Sequence, residues 1–290
     1  MPNFNGVWSL TTQLQYAADW PVFSQPRALF LGGNTGSKET VIQFIDVTTT
    51  GNASDFGDLT AGRASLMSAS SKIRAVAAGG NTGSAVNVID YVTIASEGNA
   101  SDFGDLSSTS QEGTGTGSST RGLFQLGLAT DNVNTIEYVT IASTGNATDF
   151  GDRTTTAAYG QDSAVSSPTR GVFSGGFISN SVNIIDYVTI ASTGDATDFG
   201  DTSVTRYGMG GASSATRGVF GGGNTSGDTM DYITIASTGN ASDFGNLTNS
   251  PRYISGTSNG VRGVFGGGKV SSTRQDVIQY ITIASTGNAT

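Results

Sequence analysis

The chain has 290 residues, with 42 glycines, five prolines, no cysteine and no histidine, and a formal net charge of −9. Lacking Cys, it has no disulfides, thiolate chemistry or Cys-ligated metal; lacking His, it has no Ser-His-Asp triad and no imidazole base. An acidic chain with only three lysines, Lys38, Lys72 and Lys269, is not suited to nucleic acid.

The chain opens as Met1-Pro-Asn-Phe-Asn-Gly6, without a basic leader, and its first positive side chain is Arg27. This predicts no signal peptide, and no run approaches the ~20 apolar residues of a membrane span. Residues 1–26 read as a closing segment or arm. Val7-Trp-Ser-Leu-Thr11 aligns on Phe56-Gly-Asp-Leu-Thr60, which predicts a strand. Just after it, Leu10, Leu14, Ala17 and Ala18 have helical spacing, and Pro21 would end such a helix.

From residue 27 to 290 the chain repeats itself. Arg27, Arg74, Arg121, Arg170, Arg217 and Arg262 recur at steps of 47, 47, 49, 47 and 45 residues. Each opens a short run into small residues, as in Arg217-Gly-Val-Phe-Gly-Gly-Gly223. A polar loop of changing text follows, and then a nearly unvarying stamp: Ile94–Gly104, Ile141–Gly151, Ile190–Gly200 and Ile233–Gly245. A looser copy is Val47–Gly57 and a shortened one is Ile283–Thr290.

Each unit predicts four strands: the Arg-Gly-Val-Phe run, the Ile-Asp-Tyr-Val-Thr-Ile run, the Asp-Phe-Gly-Asp-Leu run, and a weakly written one before the next Arg. In Ile89–Ile94 neither alternating face is simply polar, so both are covered. Copies of one sheet covering each other predict an all-β, six-bladed propeller of four-stranded blades. Glycines ending a strand mark crowded backbone near the axis. The shortened last stamp and the N-terminal Val7–Thr11 complement each other, which predicts that an N-terminal strand closes the ring.

The order Pro251-Arg252, Gly263-Val-Phe-Gly-Gly-Gly268, Gln279-Tyr280, with an aromatic at the position of Phe244, resembles the kelch repeat. The resemblance implies one repeat per propeller blade, with Phe here where kelch has Trp. Arg217-Gly-Val-Phe-Gly-Gly-Gly223 with Asp231-Tyr-Ile-Thr-Ile-Ala-Ser-Thr-Gly-Asn-Ala-Ser-Asp-Phe-Gly245 is similar to repeats in virion proteins of marine tailed bacteriophages, cyanophages among them. Gly6-Val-Trp-Ser-Leu10 and Trp20-Pro21 resemble openings of such proteins. This implies a structural or adhesive particle protein.

The repeated motifs have plain structural readings. Asp-Phe-Gly at 55, 102, 149, 198 and 243 has no kinase context; Asp is expected to close a turn and Phe to fill the gap between blades. The sequons at Asn52, Asn99, Asn146, Asn240 and Asn288 are interrupted by Asp195 and read as turns whose Asn bonds nearby backbone. Asp55 with Asp58, and Asp102 with Asp105, offer oxygen ligands but no dense calcium loop. The six arginines are expected to pair within their blades with Asp90, Glu137, Asp186 and Asp231, which precede the aromatic; Gln43 and Gln279 stand there in the end units. Gly221–Gly223 and Gly266–Gly268 lack the Lys-Ser/Thr and helix of a phosphate loop.

No catalytic, cofactor-binding or metal-ligating residue is assigned, and the chain reads as a non-enzymatic virion protein of the tail or its fibres. Its expected partners are other virion proteins and a host surface receptor or glycan, with several copies per particle, and neither nucleic acid nor membrane insertion is expected. Synthesis in the host cytoplasm and residence in the virion follow from the same reading. Specificity should lie in the text that changes: 34–41, 128–135, 177–184 and 269–277, and the stretches before each Arg. The alternative is a glycan-binding module with Tyr159, Tyr207 and Tyr253 as stacking residues.

Overall fold

The computed structural model describes residues 26–128, 133–157 and 162–290. Every regular element among them is a β-strand, and consecutive strands pair antiparallel into six blades. Blade 1 is Arg27–Asn34, Lys38–Asp46 and Ser54–Asp58. Blade 2 is Met67–Ser70, Arg74–Ala78, Val86–Thr93 and Ser101–Ser110. Blade 3 is Thr114–Gly117, Arg121–Gln125, Val133–Thr140 and Thr148–Ala157. Blade 4 is Ser163–Ser166, Arg170–Ser174, Ile184–Thr189 and Thr197–Asp201. Blade 5 is Met209–Ser213, Arg217–Gly222, Thr229–Thr234 and Ser242–Asn246, and blade 6 is Ser255–Ser258, Arg262–Gly266 and Ile278–Thr282. A small hairpin, Lys269–Val270 with Thr273–Arg274, rises from blade 6.

The chain is a six-bladed β-propeller, as its repeats predict. The expected N-terminal closing strand and the helix-spaced run at 10–18 lie outside the described residues. Blade 6 nevertheless packs on blade 1. Val264 joins Ala28, Ile45 and Val47 in one apolar cluster, and a guanidinium nitrogen of Arg262 donates to the carbonyls of Val47 and Thr49 at 3.1 Å each.

That bond repeats round the ring. Arg27 donates to Ile94 O, Arg74 to Ile141 O, Arg121 to Ile190 O, Arg170 to Ile235 O and Arg217 to Ile283 O, each in the following blade. Each guanidinium also lies over the aromatic ring of its own blade: Phe44, Tyr91, Tyr138, Tyr187, Tyr232 and Tyr280, at 4.2–4.6 Å. The arginines therefore do not pair with the carboxylates of their blades. A carbonyl of the next blade is the partner, because Arg stands on the second strand with its head at the blade boundary.

The stamp supplies the rest of each joint. Phe56, Phe103, Phe150, Phe199 and Phe244 are buried among apolar side chains of their own and the next blade, as expected of the gap-filling residue. The Asp before each Phe is exposed and lies within the outer strand, so it closes no turn. The carbonyl of Phe103 accepts the N–H of Gly145 at 2.7 Å, and that of Asp105 accepts the N–H of Ala147 at 2.8 Å. Asn146 Oδ1 accepts the N–H of Asp105 at 3.1 Å. Asn99, Asp195, Asn240 and Asn288 repeat this bond toward Asp58, Asp152, Asp201 and Asn246. The partner is thus on the preceding blade, not on nearby backbone. Asp195 replaces Asn without loss because the joint uses only the acceptor oxygen. At this contact a Cβ on Gly104 would stand 2.5 Å from Gly145 carbonyl atoms, so position 104 must be glycine.

Asn240→Ala is expected to lower stability by about 1 kcal/mol, the worth of one hydrogen bond, whereas Asn240→Asp keeps the acceptor and nearly all the stability. Thermal unfolding of the two variants checks the difference.

Candidate binding face

Strands run antiparallel from the axis outward, so the loop between second and third strands leaves each blade at the same end as the linker from the outer strand to the next blade. The stamp turn, between third and outer strands, leaves at the opposite end. The loops between second and third strands and the linkers between blades therefore gather on one face. All six stamp turns lie on the other, beside the short loops 71–73, 118–120, 167–169, 214–216 and 259–261 that lead into each second strand. On the variable face the two loop classes are tied together: Gly33 N–H donates to Arg63 O at 2.8 Å, Asn224 N–H to Tyr207 O at 3.0 Å and Arg252 N–H to Lys269 O at 3.0 Å. The double glycines end here against the linker backbone; a Cβ on Gly32 would stand 2.4 Å from Arg63 O.

Beneath this face lie the carboxylates that precede each aromatic. Asp90, Glu137, Asp186 and Asp231 are buried, and each accepts from the N–H and hydroxyl of a Ser or Thr handed over by the previous blade: Thr60, Ser107, Thr154 and Ser203. Gln279 takes the same bonds from Thr248. Three of the carboxylates also hold a second set of arginines, which sequence reasoning passed over. Arg63 reaches Asp90 at 2.5 Å, Arg153 reaches Asp186 at 2.9 Å and Arg206 reaches Asp231 at 2.7 Å. Arg63 and Arg206 also donate to strand carbonyls at Gly79 and Val88, and at Gly222 and Thr229. Burial lowers the pKa of Arg63 and Arg206, and the paired Asp opposes it. Both arginines follow a Ser or Thr by three residues, the one signal that could have found them.

At the axis, the residue entering the innermost strand is left-handed in several blades: Ser65 at φ 56°, Glu112 at φ 61°, Gly208 at φ 73° and Tyr253 at φ 58°. Two neighbouring pairs are hydrogen-bonded, Glu112 N–H to Ser65 O at 2.9 Å and Tyr253 N–H to Gly208 O at 2.7 Å, forming a rim around the mouth. Below it the innermost strands crowd closely; a Cβ on Gly256 would stand 2.4 Å from Gly211 O.

Of the tyrosines expected to stack a sugar, Tyr207 and Tyr253 come together at this rim, their centroids 6.0 Å apart. Phe177, from the blade 4 loop, meets Tyr207 edge-on at 5.4 Å. Tyr159 lies outside the described residues. Burial raises the Tyr253 phenol to about 12, helped by its hydrogen bond with Tyr207. Among the described residues no three acidic side chains gather as a metal site. Asp58 Oδ1 instead accepts from Thr40 at 2.7 Å.

One buried acid is poised to titrate. Arg153 bridges Asp186 and Asp162, the latter at 2.6 Å. Two carboxylates share one cation there. Burial, opposed by Arg153 and reinforced by Asp186, raises Asp162 to about 7. Its folded pKa is above its unfolded value, so the fold binds the proton more tightly.

No family model matches the chain, and no curated protein matches it. Many solved chains share its shape. One, described as "Structure of YjhT", is 9% identical, covers 90% of this chain and 95% of its own, and superposes with a TM-score of 0.70. At that identity the likeness shows the propeller fold alone.

The Asp162 contribution is expected to be full near pH 4 and to be lost as pH rises to about 7. Melting temperature followed across that window should fall more steeply for the native chain than for Asp162→Asn; parallel profiles would contradict the assignment.

Proposed function

We propose that the chain is a non-enzymatic phage virion protein of the tail or its fibres, a kelch-like propeller that presents variable loops for host attachment or for contact with other virion proteins. One observation carries this reading: the longer changing loops emerge at one end of the ring, while the repeated stamp is consumed in joints. A scaffold whose exposed loops differ blade by blade, on a body that does not differ, suits recognition. The wording of the repeats, similar to virion proteins of marine tailed phages, supports the setting. The absence of His and Cys from the sequence supports a role without chemistry.

Two measurements test it together. A mass-spectrometric inventory of purified virions should contain the chain, and its absence from every particle fraction would contradict the reading. Exchanging residues 177–183 for a Gly-Ser loop should lower attachment of the isolated propeller to host envelopes while leaving its melting temperature unchanged. Attachment lost only when the joints are damaged would contradict it as well.

A further inference from the structure

Blade 6 breaks a rule that blades 2, 4 and 5 keep. In those blades an arginine of the preceding blade's outer strand or of the linker after it is neutralised by the buried Asp of the third strand. In blade 6 that acid is Gln279, whose side chain is spent on Thr248 and Asn249. Pro251 stands where the arginines do, its carbonyl accepting Gly223 N–H as those of Arg63 and Arg206 accept Gly33 and Gly176 N–H. Arg252 is one residue further on, at the place of Ala64 and Tyr207, and forms no ion pair with a described carboxylate. Its guanidinium lies 5.6 Å from the centroid of the Tyr253 ring. Lys269 pairs with Arg252 through the backbone and Arg274 closes the same hairpin, so cations concentrate over one blade of a chain with net charge −9.

Tyr253 is the second irregularity. Its left-handed place on the rim is taken by Ser65, Glu112 and Gly208 in other blades, and a bulky side chain there is strained. It is one of the few large apolar-bodied side chains that is exposed among the described residues, at 37%. A joint or core role would not need it in that conformation. Tyr207 and Phe177 extend it into a ledge, and Glu112, from the opposite blade, is near enough to act on its phenol.

Resting on the attachment reading above, we infer that the rim at Tyr253, Tyr207 and Arg252 binds an acidic saccharide, with a sugar ring on the Tyr253 face and its carboxylate on the Arg252 guanidinium. Aromatic rings take the apolar face of a sugar and leave its hydroxyls wet, and a planar guanidinium matches a carboxylate in two hydrogen bonds. The Tyr207 hydroxyl accepts a hydrogen bond from a sugar hydroxyl.

The test is calorimetric titration of the full chain with a tetragalacturonate, against maltotetraose as the neutral probe. The acidic tetrasaccharide should bind and the neutral one at least tenfold more weakly. Tyr253→Gly relieves the left-handed strain, so it should hold or raise the melting temperature while losing at least tenfold in affinity; Tyr253→Phe should keep the affinity within a few fold. Arg252→Gln should remove the preference for the acidic probe and Arg252→Lys should retain part of it. Equal affinity for both probes, no binding of either, or binding unchanged in Tyr253→Gly would overturn the inference. If the native chain ignores both probes yet still adheres to host envelopes, this site falls and the attachment reading stands. If it does neither, both fall.

Discussion

The structure depends on a joint made six times, in which an arginine is clamped between an aromatic ring of its own blade and a carbonyl of the next. Arg262 completes the circuit from blade 6 to Val47 and Thr49 of blade 1. The aromatic beneath the cation is itself braced. Tyr91 meets Phe103 edge-on at 5.8 Å, and Tyr187 meets Phe199 likewise at 5.9 Å. Phe then reaches across the boundary, so cation, ring and apolar plug form one continuous contact. A single cation–π contact contributes roughly 0.5–2 kcal/mol, and a hydrogen bond ~1 kcal/mol. Repetition makes them decisive, since a ring with one weak joint opens there.

Because the joints sit on the stamp side, the other side is relieved of most of that duty. Its loops need only hold the buried carboxylates, through Ser or Thr and the second arginines. The same division explains how one repeated sequence carries both constancy and variation. The joints and the longer changing loops lie at opposite ends of the same strands.

Much of this was legible in the sequence. The six units, the strand runs and the gap-filling Phe follow from repetition and from alternation on short strands. The partner of each arginine did not. One Arg and one acid recur in every middle unit, and spacing alone cannot say whether Arg74 meets Asp90 of its own blade or Ile141 of the next. The Asn bond was hidden for a similar reason: Asn146 and Asp105 are 41 residues apart and meet only when blades are packed. Tyr207 and Tyr253 were legible as residues, but their meeting at the rim depends on loops from successive blades.

The central claim is that the stamp exists to join blades, and the Phe-Gly contact tests it most directly. Gly200→Ala places a Cβ 2.6 Å from carbonyl atoms of Gly239, at φ 143°. Two or more kcal/mol of lost stability should lower the melting temperature by about 4 °C or more. An unchanged melting temperature in Gly200→Ala would contradict the account.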